Sequence, residues 1–339
     1  MPAAKMQKEL LRMKFGWPEF ERSKSDHSKF DHSKFDHSKF DHSKFERTNI
    51  DQALLAFLLC VSIAIGVPSA SAFMTFPAGN NIHRAILEEG LKPFKLSKAS
   101  LGFMAKGMDS QDNPFSNKWK IPEHHACDNK IKGAFLYIDE QTSKAVDLAG
   151  RADSDAGACR LALYALGEAM HTVHDFYSHA NYVEWLLSQD KPMEPIDRSV
   201  GSKIPESIRT CYYYYESNLK QEPFLSHKDN VRRLRAQHPE LTFRSEAEYT
   251  ARKQSEDRQS ALDYALRPGQ LLHMELNKDS VKQLEGQVMV GREGKTFFDL
   301  AREIAVKDTT KQWQIFEQQI KAKYGERASA IMVALENAS

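Results

Sequence analysis

The sequence lacks a surplus of charge of either sign, with 47 Lys and Arg against 46 Asp and Glu in 339 residues. The balance stays near neutral beyond residue 72, so no basic field is available to hold a nucleic-acid backbone. Nucleic acid is therefore the less favoured partner. No Gly-x-Ser-x-Gly segment occurs, which removes the serine-hydrolase elbow. No pair of alternating apolar runs flanks a tight turn, so no β-hairpin is expected. Cysteine is scarce: of 4 in the chain, only Cys127, Cys159 and Cys211 lie beyond the N-terminal apolar stretch. At most one disulfide can form among those three, and the sequence does not choose the pair. That apolar stretch, Ala53 to Val67, is uncharged but short of the about 20 residues that span a bilayer comfortably.

What is present begins with a repeat. Residues 26–45 are four copies of Asp-His-Ser-Lys-Phe, too short and polar to stack as a solenoid, and a period of five drifts around a 3.6-residue turn. Residues 1–49 read as a disordered extension. Residues 50–72 read as a signal peptide, because the uncharged run is followed by Pro68 and an Ala70-x-Ala72 cleavage site before Phe73. This implies a secreted or periplasmic product. Its place well inside the chain fits either a translation start downstream of Met1 or retention as a membrane anchor.

From residue 80 onward the punctuation predicts helix after helix. Expected segments run from Ile82 to near Gly90, Ser97 to Met104, Ile131 to Ala149 and Ala156 to Leu187. After a Pro- and charge-rich excursion from Asp190 to Pro239 come Glu246 to Leu266, Phe297 to Lys323 and Glu326 to Leu335. The expected architecture is one all-α domain, residues 73–339, with its helices packed around a metal cleft.

The stretch around which the chain is organised runs from Leu166 to Glu184. His171, Asp175 and His179 recur every four residues, which on a helix places three metal-competent side chains in one column. Leu163, Leu166, Met170, Val173 and Phe176 supply apolar faces that bury the helix, so the column points into an interior or a cleft. Imidazole nitrogen and carboxylate oxygen are ligands that zinc accepts, and hydrolytic zinc sites keep one position open. Gly167 leaves backbone uncovered one turn before His171, where an ion or substrate can approach. Further His residues cluster at His83, at His124-His125 before Asp128-Asn129, and at His273 before Lys278-Asp279.

The segment His171-x-x-x-Asp175-x-x-x-His179-Ala180-Asn181 resembles the motif of the zinc-dependent phospholipase C and single-strand-specific nuclease superfamily. The wording His-Asp-Phe-Tyr-Ser-His-Ala-Asn-Tyr-Val-Glu is closest to the heterokaryon-incompatibility-C branch and its bacterial relatives. It departs from the secreted bacterial phospholipases, whose gap between the Asp and the second His is two residues longer and contains Pro. The resemblance implies two or three zinc ions held by His83, His125, His171, Asp175 and His179. It places His124, Asp128 and His273 beside them as further candidates and leaves Cys127 out. Asp109 or Asp112 matches the Asp that orients or deprotonates the attacking water, and both remain open. Glu184 is the nearest match to the Glu of a third zinc pair. The family's N-terminal Trp, whose amine and carbonyl bind zinc, has Phe73 in its place. Asn181 would orient a ligand, and Lys278 would offer positive charge to a phosphate. The implied activity is metal-assisted hydrolysis of a phosphodiester, with a phospholipid as substrate and peripheral membrane contact. A nuclease or nucleotidase on the same scaffold, and a non-catalytic metal-stabilised interaction domain, are the alternatives.

Overall fold

Caps set the helix starts. The hydroxyl of Ser97 accepts from Ser100 N at 3.0 Å to open the helix Lys98–Asp109, and the Asp155 carboxylate accepts from Gly157 N and Ala158 N to open Ala156–His179. Ser226 and Asp257 cap in the same way, and Ser245 with Glu248 and Thr296 with Asp299 form reciprocal capping boxes. Each such side chain satisfies an orphan backbone N–H and stabilises its helix by about 1 kcal/mol.

The computed structural model describes residues 82–339, apart from 114, 200–201, 213–225 and 292–293. The repeats, the expected signal segment and Phe73 lie outside the described residues. In chain order the helices are α1 (Ile82–Leu91), α2 (Lys98–Asp109), α3 (Ile131–Ala149), α4 (Ala156–His179) and α5 (Tyr182–Ser188). They continue as α6 (His227–Gln237), α7 (Glu246–Lys253), α8 (Arg258–Leu266), α9 (His273–Leu276), α10 (Phe297–Tyr324) and α11 (Ala328–Glu336). Among the described residues there is no strand, only isolated bridges such as Ala180 with Thr210, and the fold is all-α. Among them also, no helix is long and apolar enough to cross a membrane.

α4 is the axis, buried along nearly its whole length and packed by α2, α3 and α10. It feeds two apolar clusters. Leu163, Leu166 and Met170 join Leu87, Met104, Trp313 and Phe316, while Val173, Phe176 and Tyr177 join Ile86, Phe135 and Ile304. Gly107 and Gly167 lie where α2 and α4 cross, and a Cβ on either would collide with the partner's backbone, at Tyr164 O or Met104 O. Gly167 therefore serves close helix packing instead of leaving backbone open to an ion.

Two expected helices are divided. Ala156 to Leu187 breaks at Ala180, whose φ of −99° and ψ of 154° are extended. The carbonyls that would continue the helix are claimed elsewhere: Ser178 O by Lys278 N, His179 O by Cys211 N, and Ala180 O by Lys278 Nζ at 2.7 Å. Glu246 to Leu266 breaks at residues 254–257, where Asp257 starts α8 as a new cap. The excursion after Asp190 contains α6, which its charge concealed.

Candidate metal centre

The column on α4 is formed and fully enclosed, with His171 and Asp175 at 0% and His179 at 1% exposure. Four other segments deliver side chains to it. α1 contributes His83, the turn after α2 contributes Asp112, the 3-10 turn Pro122–His125 contributes His125, and α9 with its following turn contributes His273 and Asp279. Four groups of ligand atoms result among the described residues, each within 4.8 Å: His83, Asp112 and His171; His125, His171 and Asp175; His179, His273 and Asp279; and Cys127, His179 and Cys211. The described residues thus hold several buried groupings able to bind a metal ion.

The second group is the tightest. His125 Nδ1 lies 3.0 Å from Asp175 Oδ2 and 3.2 Å from His171 Nε2, and the latter two are 3.1 Å apart. Ligands about 2.0–2.1 Å from one ion on a tetrahedron stand about 3.3 Å from each other, close to these edges. Asp112 Oδ1 flanks the triangle at 3.6 Å from His171 Nε2 and 3.8 Å from His125 Nδ1.

Hydrogen bonding fixes which ring nitrogens carry lone pairs. The Thr309 hydroxyl donates to Ala305 O at 2.8 Å, so it can only accept from His174 Nε2, also 2.8 Å away. His174 Nδ1 therefore carries a lone pair and accepts from His83 Nδ1 at 3.1 Å. That turns His83 Nε2 to the Asp175 carboxylate at 3.4 Å, an ion pair when the ring is protonated and two metal donors when it is neutral. The same logic orients His179. Its Nδ1 is 3.2 Å from His125 O, a carbonyl that can only accept, so Nδ1 carries hydrogen and Nε2 turns to His273 Nε2 at 3.1 Å and Asp279 Oδ1 at 3.5 Å.

Electrostatics agree with a site built for cations. Burial opposes charge on His171, but the carboxylates of Asp175 and Asp112 outweigh it and hold the imidazolium up to about 9. His179 reaches about 10 against its burial, through Cys211 and Asp279. Burial works against the Asp175 carboxylate too, yet His171 and His125 keep it well below the usual range. His273 goes the other way, lowered to about 3 by burial and by the charge on His179.

Other expected residues fall outside these groups. Asp109 pairs with Arg84 at 2.5 Å near the surface, so of the two candidate carboxylates only Asp112 reaches the column. His124 stacks on Tyr137 with ring centroids 3.9 Å apart, and burial with the neighbouring His125 lowers it to about 3. Asp128 joins none of the ligand groups among the described residues. Its φ of 55°, beside 53° at Asn129, makes it a left-handed turn residue whose N–H donates to Cys211 O. Glu184 is buried but accepts from Lys278 Nζ at 3.0 Å, so that carboxylate and that ammonium neutralise each other instead of serving metal or phosphate. The Asn181 amide is occupied by Ser207 O, Ala265 O and Arg209 N, tying three segments together and orienting no ligand.

Asp279 joins His179 and His273 in one group, and His174 enters as the anchor of His83. Cys211, without a sequence signal, arrives beside Cys127 and His179 through folding alone. No protein-family model, curated protein or solved structure matches this chain.

Proposed function

We propose that the chain is a zinc-dependent phosphodiesterase that hydrolyses phospholipids in the manner of a phospholipase C. The observation that carries the metal is the buried triangle of His125 Nδ1, His171 Nε2 and Asp175 Oδ2, with edges of 3.0, 3.2 and 3.1 Å. An imidazole-rich nitrogen and oxygen donor set suits zinc among the common divalent ions. His83, Asp112, His125, His171 and Asp175 would hold it at one end of the column, and His179, His273 and Asp279 at the other. When bound, zinc supplies a Lewis acid that neutralises phosphate charge and brings the ionisation of water near neutral pH.

The chain's own residues then do the rest. Asp112 sits at the edge of the column, 8% exposed, and is the carboxylate placed to orient a water and take its proton. His273 is the least covered ligand candidate and marks the side from which a phosphodiester enters. α4 keeps His171, Asp175 and His179 in fixed register, so an attacking water is held without a large reorganisation. The lipid reading is supported by Phe115, 95% exposed, and Ile121, 37% exposed, on the stretch joining Asp112 to His125. Exposed apolar side chains next to the ligands suit contact with a bilayer surface. The near-neutral charge gives no comparable support to a nucleic-acid substrate.

The test measures release of phosphorylated head group from phosphatidylcholine vesicles, with single-stranded DNA and bis-nitrophenyl phosphate in parallel, at saturating zinc. Wild type should cleave lipid and the small diester, and His179→Ala should lose turnover while circular dichroism stays unchanged. Preference for DNA would move the assignment to a nuclease. Deep burial of the ligands favours one second reading, a non-catalytic domain stabilised by metal, and a zinc-loaded protein inert toward every phosphoester would establish it.

A further inference from the structure

We propose that Cys127 and Cys211 form a disulfide beneath the metal centre, pinning the turn that carries His125 to the segment laid against the end of α4. The two sulfurs are 3.6 Å apart and both residues are 0% exposed. Their approach is set by the backbone around them. Asp128 N donates to Cys211 O at 2.7 Å, and Cys211 N donates to His179 O at 2.9 Å. Asn129 brackets Thr210 from both sides, its N–H donating to Thr210 Oγ1 and its Oδ1 accepting from Thr210 N. The two strips of chain are thus already zipped together on either side of the thiols. Cys159 is remote from this pair, its thiol donating to Ala334 O in the other apolar cluster. The pairing that the sequence left open is thereby decided.

A metal held by the two sulfurs and His179 is the competing use of the same atoms. It fails on the third donor. His179 Nδ1, the nitrogen on the cysteine side, lies 3.2 Å from the carbonyl of His125 and is engaged there. The neutral ring then turns its lone pair on Nε2 to the side of His273 and Asp279. Closing the disulfide brings the sulfurs to about 2.05 Å. The two thiols give up two electrons and two protons to a small-molecule disulfide, which leaves as two thiols while the new S–S bond forms. The resulting link joins positions 84 residues apart and restrains the two backbone strips that hold His125 and His179.

The experiment equilibrates the full-length chain in glutathione buffers from reducing to oxidising, natively in one arm and during refolding from denaturant in the other. Samples are acid-quenched, alkylated, digested without reduction and weighed. The expected product is a Cys127 peptide joined to a Cys211 peptide, two hydrogens lighter than their sum, with Cys159 alkylated. Zinc content of Cys127→Ser/Cys211→Ser should match wild type, and the reduced wild type should release zinc several-fold faster than the oxidised form. Free, alkylated Cys127 and Cys211 in both arms, or a link from either of them to Cys159 or Cys60, would overturn the proposal. Loss of one zinc per chain in the double variant, with no cross-link in wild type, would replace it by the thiolate site. The mass readout does not depend on catalysis, so an inert protein with an intact link would refute the phosphodiesterase reading alone.

Discussion

Two buried polar clusters meet at the segment 277–279, and they meet the cost of desolvation in opposite ways. One is closed on itself. Lys278 donates to Glu184 at 3.0 Å and Arg252 to Glu285 at 2.7 Å, two cations against two carboxylates, with none of the four more than 2% exposed. The other, one residue away at Asp279, gathers imidazoles and carboxylates from five segments of the chain. Its rings are oriented by Thr309 and by the His125 carbonyl so that lone pairs converge. The first cluster sets each carboxyl against a cation of the protein's own, although burial and Glu184 push the Glu285 carboxyl up to about 8. The second is completed only by protons or by a metal cation, and that difference separates a structural ion network from a binding site.

The contrast can be broken from either side. The largest effect is expected in the closed cluster: Lys278→Met strands Glu184 in the interior and should cost about 3–5 kcal/mol in urea unfolding, with or without zinc. A loss below about 1 kcal/mol would mean that the cluster is not self-sufficient. In the open cluster, Asp175→Asn keeps shape and removes charge. It should weaken zinc binding by about 100-fold or more, worth about 2.7 kcal/mol, measured by competition with a chromogenic chelator. An unchanged affinity would remove Asp175 from the ligand set.

The smallest and sharpest test uses pH. In the reduced protein, His171 and His179 have folded pKa values raised to about 9 and about 10, above an unfolded value near 6.5. Their contribution to the metal-free protein is fully present below about pH 6.5 and is lost as pH rises through about 9 and 10. Zinc needs both rings neutral, so its binding at pH 7 should release protons, and its affinity should rise with pH over the range where metal-free stability falls. Calorimetry in buffers of different ionisation enthalpy counts those protons. A count of zero would show that neither ring is displaced from its protonated state.

The path from sequence to structure was uneven for physical reasons. α3 runs from Ile131 to Ala149 as its periodicity and neighbours dictate, and α10 extends one residue past the expected end at Lys323. Local signals suffice there because caps and apolar spacing act within a few turns. They fail at Ala180, where the helix stops because Lys278 and Cys211, distant in sequence, claim its carbonyls. Asp109 and Asp112 were equivalent in sequence, and the end of α2 separated them by giving Asp109 to Arg84 and turning Asp112 inward.

By itself the sequence determined the all-α class and the column of His171, Asp175 and His179, because a four-residue spacing and a helical period are properties of one continuous segment. The resemblance named His83, His125 and His273 as candidates, and tertiary structure decided which residues meet that column. His83, Asp112, His125, His273 and Asp279 come from separate segments, and Glu184 is drawn away by Lys278. The tautomers that aim the rings depend on Thr309 and on a backbone carbonyl, partners that no local pattern names. Contacts of that kind arise when packing sets distances between elements, and spacing along the chain carries no record of them.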